Sequence, residues 1–259
     1  MAVWNRDGSQ NPKAAQISSN RMSSISWSPN GKEIALGGYV PALRLLNVDD
    51  LSIRTPFDPI PYIGFSSLAW NPEHEGLLAA VGGNQVGTYL FKWRRDAGKL
   101  DEPKQLIKDA AVYGTDWSGD GETLATTSNN AIQLWDRDGE PIGRPIWTDD
   151  VVGKVAWSPD GRMLAVASGN SVKLFRKDGS LVTILKGHTG KVTNLTWTQG
   201  TLVSTSNDHT VKLWQTEPIV ADDLLGALQE KSCKWLNGYL QNNKWMNPND
   251  AGVRDLCGF

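Results

Sequence analysis

Five tryptophans divide most of the chain into near-equal lengths. Trp27, Trp70, Trp117, Trp157 and Trp197 follow one another at intervals of 43, 47, 40 and 40 residues. Their settings are alike: Ile25-Ser-Trp27-Ser-Pro-Asn-Gly31, Leu68-Ala-Trp70-Asn-Pro72, Thr115-Asp-Trp117-Ser-Gly-Asp-Gly121, Val155-Ala-Trp157-Ser-Pro-Asp-Gly161 and Leu195-Thr-Trp197-Thr-Gln-Gly200. A period of this length marks a chain that repeats one supersecondary unit, each copy burying its apolar faces against its neighbours.

The residues within one period describe that unit. Five positions before each Trp stand Met22, Phe65, Val112, Val152 and Val192; two before it stand Ile25, Leu68, Thr115, Val155 and Leu195. Mostly apolar and suited to extended backbone, they predict an inner strand covered on both sides. A turn rich in Pro, Asn, Asp and Gly follows, and then a second strand: Glu33–Leu36, Leu77–Ala80, Thr123–Thr126, Met163–Val166 and Thr201–Ser204. A third strand alternates apolar and polar residues, as in Ala131–Trp135, Ser171–Phe175 and Thr210–Trp214. Asp-Gly turns at 138–139 and 178–179 lead into a weaker fourth strand. Four strands every 40–45 residues, without helical periodicity before about residue 221, predict an all-β propeller.

The fifth repeat adds Gly187-His188, Ser204, Asp208 and Trp214, and on these residues the chain resembles the WD40-repeat family. The resemblance covers about residues 2–216. It implies a structural relay in which His188 donates to Asp208 while Ser204 bridges to the Trp214 indole. It also implies that this His, Asp and Ser set holds strands together and performs no chemistry. The other repeats depart from the pattern. Asn129 and Gly169 occupy the Asp position of the third and fourth, Leu46-Asn47 replaces the Trp-Asp pair of the first, and the second is hard to phase around Phe91 and Trp93.

Three stretches follow: a partial blade over 1–20, five WD40-type blades over 21–216 and a helical segment over 217–259. Met1-Ala-Val-Trp4-Asn5-Arg-Asp7-Gly8 reads as a third strand with its Asp-Gly turn, with a fourth strand near Lys13–Ser19 and no first or second. We therefore expect the chain to be the C-terminal part of a longer array. Beyond residue 221, Leu225, Leu228, Ser232, Leu236 and Tyr239 fall on one helical stripe after a capping Asp222 or Asp223. This segment resembles the C-terminal tails of large bacterial WD40 signalling proteins.

Composition narrows the function. A net charge of −2 over 259 residues gives no electrostatic footprint for nucleic acid or an anionic membrane. Met1–Ala14 lacks the apolar core of a signal peptide, so a cytoplasmic protein is expected. Cys233 and Cys257, without nearby histidines, read as small buried hydrophobes; no metal site and no cofactor is expected. His74 sits in a Pro-Glu-His-Glu-Gly turn and reads as solvated. Gly82-Gly-Asn-Gln-Val-Gly87 lacks the Lys-Ser/Thr of a phosphate loop. The inner-strand column Ser24, Ser67, Gly114, Lys154, Asn194 is small and polar, as in a water-filled channel, and carries no recurring acid.

The function expected is a protein-interaction scaffold or sensor, not an enzyme, with other proteins or peptides as partners. Its binding face would comprise the loops before each first strand and between second and third strands: Arg21, Tyr39, Tyr113, Asp149, Asp150, Thr189, Lys191, Asn207 and His209. The competing reading is a propeller hydrolase acting through channel carboxylates.

Overall fold

The computed structural model describes residues 22–38, 43–55, 64–82, 87–94, 99–100, 104–107, 111–198 and 200–216. All their regular structure is β, in five antiparallel sheets, so the described residues form an all-β propeller of five blades. The partial blade expected over 1–20 and the helical segment over 217–259 lie outside the described residues.

Blade one comprises β1 (Met22–Trp27), β2 (Glu33–Gly38), β3 (Leu43–Asn47) and β4 (Ile53–Arg54), paired in that order. Blade two comprises β5 (Phe65–Trp70), β6 (Leu77–Gly82) and β7 (Gly87–Arg94), and both β8 (Lys99–Leu100) and β9 (Lys104–Ile107) pair with β7. Phe91 stands opposite Leu78, which settles the phase of this repeat. Blade three is β10 (Val112–Trp117), β11 (Leu124–Ser128), β12 (Ala131–Trp135) and β13 (Pro141–Trp147). Blade four is β14 (Val152–Trp157), β15 (Met163–Ser168), β16 (Ser171–Arg176) and β17 (Leu181–Lys186). Blade five has three strands among the described residues: β18 (Val192–Thr198), β19 (Thr201–Ser206) and β20 (Val211–Gln215).

Each inner strand slips register near its start, between Met22 and Ser24, Phe65 and Ser67, Val112 and Gly114, Val152 and Val155, and Val192 and Asn194. In a straight strand, positions three apart face opposite ways. The extra residue of a bulge reverses that. Phe65, Leu68 and Trp70 therefore lie in one cluster with Leu43 and Leu45 of the preceding blade. Val152, Val155 and Trp157 likewise pack with Ile132 and Leu134. The core is thus a series of interfaces in which third-strand aliphatics of one blade meet the inner strand of the next.

Polar contacts fix the same register. Ser24 Oγ accepts from Leu68 N at 3.0 Å, Ser26 Oγ from Trp70 N at 3.1 Å, and Asp116 Oδ2 from Trp157 N at 2.8 Å. Gly114 is required at the joint between blades three and four, where a Cβ would sit 2.8 Å from Gly153 O and 2.9 Å from Val155 N.

The turn after three of the inner Trp residues, Trp27, Trp117 and Trp157, repeats as well. Ser28, Ser118 and Ser158 accept through Oγ from Glu33 N, Thr123 N and Met163 N at 2.9, 3.0 and 2.9 Å. Gly31, Gly121 and Gly161, each with φ near +68°, close the turn on the Ser carbonyl.

Candidate functional site

In blade five, Trp214 Nε1 donates to Ser204 Oγ at 2.9 Å, and Ser204 Oγ lies 2.7 Å from His188 Nε2. His188 Nδ1 lies 2.8 Å from Asp208 Oδ2. The bonds have one consistent direction. Ser204 receives the indole proton, so its single hydroxyl proton goes to Nε2, and the imidazole proton sits on Nδ1 facing the carboxylate. A neutral imidazole satisfies every partner.

Asp208 also accepts from the Thr210 hydroxyl at 2.6 Å and from Thr189 N at 2.9 Å. The Thr210 hydroxyl first, then Thr189 N–H and His188, hold its carboxyl well below the usual range. His188 and Ser204 are buried. The set fastens the entry loop of the blade to the β19–β20 turn, with the Ser204 hydroxyl fully buried beneath it.

The other blades treat this column differently. In blade three Trp135 Nε1 donates to Thr126 Oγ1 at 2.9 Å. In blade four Val166 and Phe175 hold the Ser204 and Trp214 positions, both buried. In blade one Leu36 and Leu46 do so. Indole is matched with a hydroxyl, and a ring or chain without N–H is matched with an aliphatic side chain.

Seven of the nine binding-face candidates lie among the described residues; Arg21 and Tyr39 do not. Thr189, Lys191, Asn207 and His209 come together at the loop end of blade five, where Asn207 N donates to Lys191 O at 2.9 Å. His209 holds φ +65°, a left-handed conformation that histidine tolerates better than most residues. Asp149 and Asp150 lie on the β13–β14 connection. Asp149 reaches to 3.9 Å from the buried Lys173 ammonium, and Asp150 O accepts from Thr148 Oγ1 at 2.7 Å. This connection and the next are tied to neighbouring turns by Val152 N to Asn129 O at 2.7 Å and Val192 N to Gly169 O at 2.9 Å. Tyr113 is exposed at the bulge of β10, on the third blade.

Sequence reasoning missed two residues of this end. Val151 and Trp147 are exposed, the Trp more so. The signal available was Trp147 at the last position of a fourth strand, where blade four has Lys186.

Around the axis, a cavity of about 650 Å³ is lined by residues of β1, β10, β14 and β18 with Ser67 and Leu68 of β5. Of the expected channel column, Ser24, Ser67, Lys154 and Asn194 line it. Gly114 does not; it abuts the backbone of β14, as described above. Lys154 Nζ donates to Ser66 O at 3.1 Å, and burial lowers the affinity of its amine for a proton. Asp116 lies in the lining although the column reading had placed no acid there. Burial pushes its carboxyl up to about 7, against the pull of the Trp157 and Trp117 backbone N–H groups. Asp116 is the one acid among the described lining residues.

His74, read as solvated, has a side chain that is 39% exposed. It is partly buried and lies 2.7 Å from Arg137 Nη1, in a patch where Arg137 also pairs with Glu122 at 3.3 Å. Among the described residues no group of three or more His, Cys, Asp or Glu is placed to hold a metal ion.

The family model described as WD domain, G-beta repeat matches residues 103–136, 144–176 and 179–215. The matched repeats span residues 103–215, and the five blades in the register described above agree with the WD40-repeat β-propeller family. A search of curated proteins returns no match. The matched repeats are offset from the blades: each runs from the outer strand of one blade through the third strand of the next.

Proposed function

We propose that the chain is a protein-interaction module whose partner, a protein or peptide, seats on the loop end across blades four and five. One observation carries the reading. Exposed Asp149, Val151, Lys191, Asn207 and His209 sit on loops already fastened by main-chain and Asp208 hydrogen bonds. A surface held in shape before binding loses little conformational freedom on binding, and an exposed Trp beside it supplies the usual anchor of an interface. The charges on it are of both signs, which favours a mixed partner surface over a polyanion. The WD40 fold is consistent with such a role.

The resemblance of 217–259 to tails of bacterial WD40 signalling proteins supports a place in a cytoplasmic signalling assembly. The test is affinity capture with the whole chain and with two variants. Trp147→Ala combined with His209→Ala should lose the captured partner. Asp178→Ala, in a turn at the opposite end, should keep it. Equal capture by both variants refutes the location.

A hydrolase would use the Asp116 cavity. Its lining holds one acid and not a pair among the described residues, and that acid already accepts from Trp157 N. Turnover of glycosides or phosphoesters that disappears in Asp116→Asn would replace the binding reading.

A further inference from the structure

The joints between blades follow one plan, with Thr88 and Thr115 replacing aliphatics at the joint of blades two and three, and their two halves can be compared with the faces at the ends of the series. On one side of a joint stand two third-strand aliphatics: Leu43 and Leu45, Ile132 and Leu134, Val172 and Leu174. All are at most 6% exposed. Their equivalents in blade five, Val211 and Leu213, are 60% and 69% exposed. On the other side stand the inner-strand pairs Leu68 with Trp70 and Val155 with Trp157, at most 8% exposed. Their equivalents in blade one, Ile25 and Trp27, are 56% and 50% exposed. The two end faces are therefore not packed on each other.

The polar register is open in the same way. Ser24 and Ser26 of blade one accept from Leu68 N and Trp70 N of blade two. In blade five the matching positions are Asn194 and Thr196, both exposed. Their counterpart donors in the repeat are the backbone N–H groups of Ile25 and Trp27.

We propose that these faces form an interface between copies of this chain, with Val211 and Leu213 of one copy seated on the Met22, Ile25 and Trp27 strand of a second. The internal joints show what each face accepts. A second copy presents that surface in the correct register, with the Thr196 hydroxyl placed to accept from the partner's inner strand, while Asn194 Oδ1 already accepts from Leu195 N at 3.0 Å. The net charge of −2 opposes close approach only weakly. The contact is heterologous, joining unlike faces, so it closes into a ring only if the rotation per copy divides a full turn, and otherwise continues copy upon copy.

Sedimentation velocity over a hundredfold concentration range tests this with the whole chain. The wild type should shift from monomer to dimer and larger species. Ile25→Lys and Leu213→Lys each block one face at an exposed position and should each sediment as monomers. Mixed in equal amounts, they should give a one-to-one dimer and nothing larger, because each supplies the face that the other lacks. Ile25→Ser and Val211→Ser serve as milder replacements if a lysine variant shows an altered unfolding midpoint. A wild type monomeric throughout overturns the proposal. So does association that persists in both single variants, or a mixture that fails to dimerise.

Discussion

Blades four and five share one backbone plan and are tied together by opposite chemistry. In blade four the core of the column is dry, with Val166 and Phe175 both buried, and the Thr148 hydroxyl at the His188 position is satisfied locally by Asn130 O and Asp150 O. In blade five the same column is a hydrogen-bonded chain from Trp214 through Ser204 and His188 to Asp208. A buried indole N–H needs an acceptor, and a buried hydroxyl needs partners for its proton and its lone pairs. The substitutions consequently travel together: where the indole goes, the hydroxyl goes with it. Each version is internally consistent, whereas a half-converted column would leave a buried polar group unpaired. The WD40 relay is thus one of two solutions to the same packing problem.

The largest effect should come from emptying the dry column. Phe175→Ala removes a buried ring and leaves a cavity, which costs about 3–5 kcal/mol in urea unfolding. In blade five, Ser204→Ala strands the Trp214 N–H and His188 Nε2 without creating much space. The expected cost is about 1–3 kcal/mol, and His188→Ala should fall in the same range. Converting the wet column wholly to the dry one is the sharper experiment. Ser204→Val with Trp214→Phe should cost less than the sum of the two single changes, since each single change leaves the other partner unsatisfied. Additive costs would mean that the two residues are not coupled.

Acid and base titration should separate two carboxyls of opposite sign. The depressed affinity of Asp208 for a proton contributes stability that is present above its unfolded value near 3.9 and is lost as pH falls through the folded value. Asp208→Asn should remove that acid-side loss. Asp116 runs the other way, because between about pH 4 and its folded value of about 7 the folded chain keeps a proton that the unfolded chain has released. Stability therefore falls as pH rises through that window. Asp116→Asn, which keeps the acceptor for Trp157 N, should flatten the slope and raise the unfolding midpoint at pH 8. The smallest effect expected is that of His74→Ala, under about 1 kcal/mol, because its contact with Arg137 is largely solvated.

The blades were legible because the inner Trp recurs at a near-constant interval and three of the five are followed by one turn, in which a Gly at positive φ closes on the carbonyl of a Ser three residues earlier. The relay of blade five was legible for the same reason: its four residues sit at fixed offsets. The bulges were not read, although their trace is present. Apolar residues five and two positions before each Trp cannot share a face of a straight strand, so the spacing itself demanded an extra residue between them. Asp116 in the cavity was missed because the channel column was read at one position per strand: at Gly114 the backbone of β14 leaves no room for a side chain, and Asp116 stands two residues further along the same face of β10. Trp147 and Val151 escaped because exposure depends on which neighbours arrive in space, and in the sequence both resemble ordinary strand and loop residues.

The offset between repeat and blade has a consequence for how such a chain can lengthen. A duplicated segment such as 179–215 would begin with an outer strand and end with a third strand. Its first strand would complete the sheet already there, and its last three would found a new one that awaits the next copy. Growth by whole repeats therefore passes the unfinished edge outward, and no intermediate length acquires a second one. A cut in a connection between blades, such as 148–151, parts whole sheets, while a cut between repeats severs a strand from its own sheet. The unit of inheritance and the unit of packing are out of step by one strand, and that step binds each addition to what preceded it.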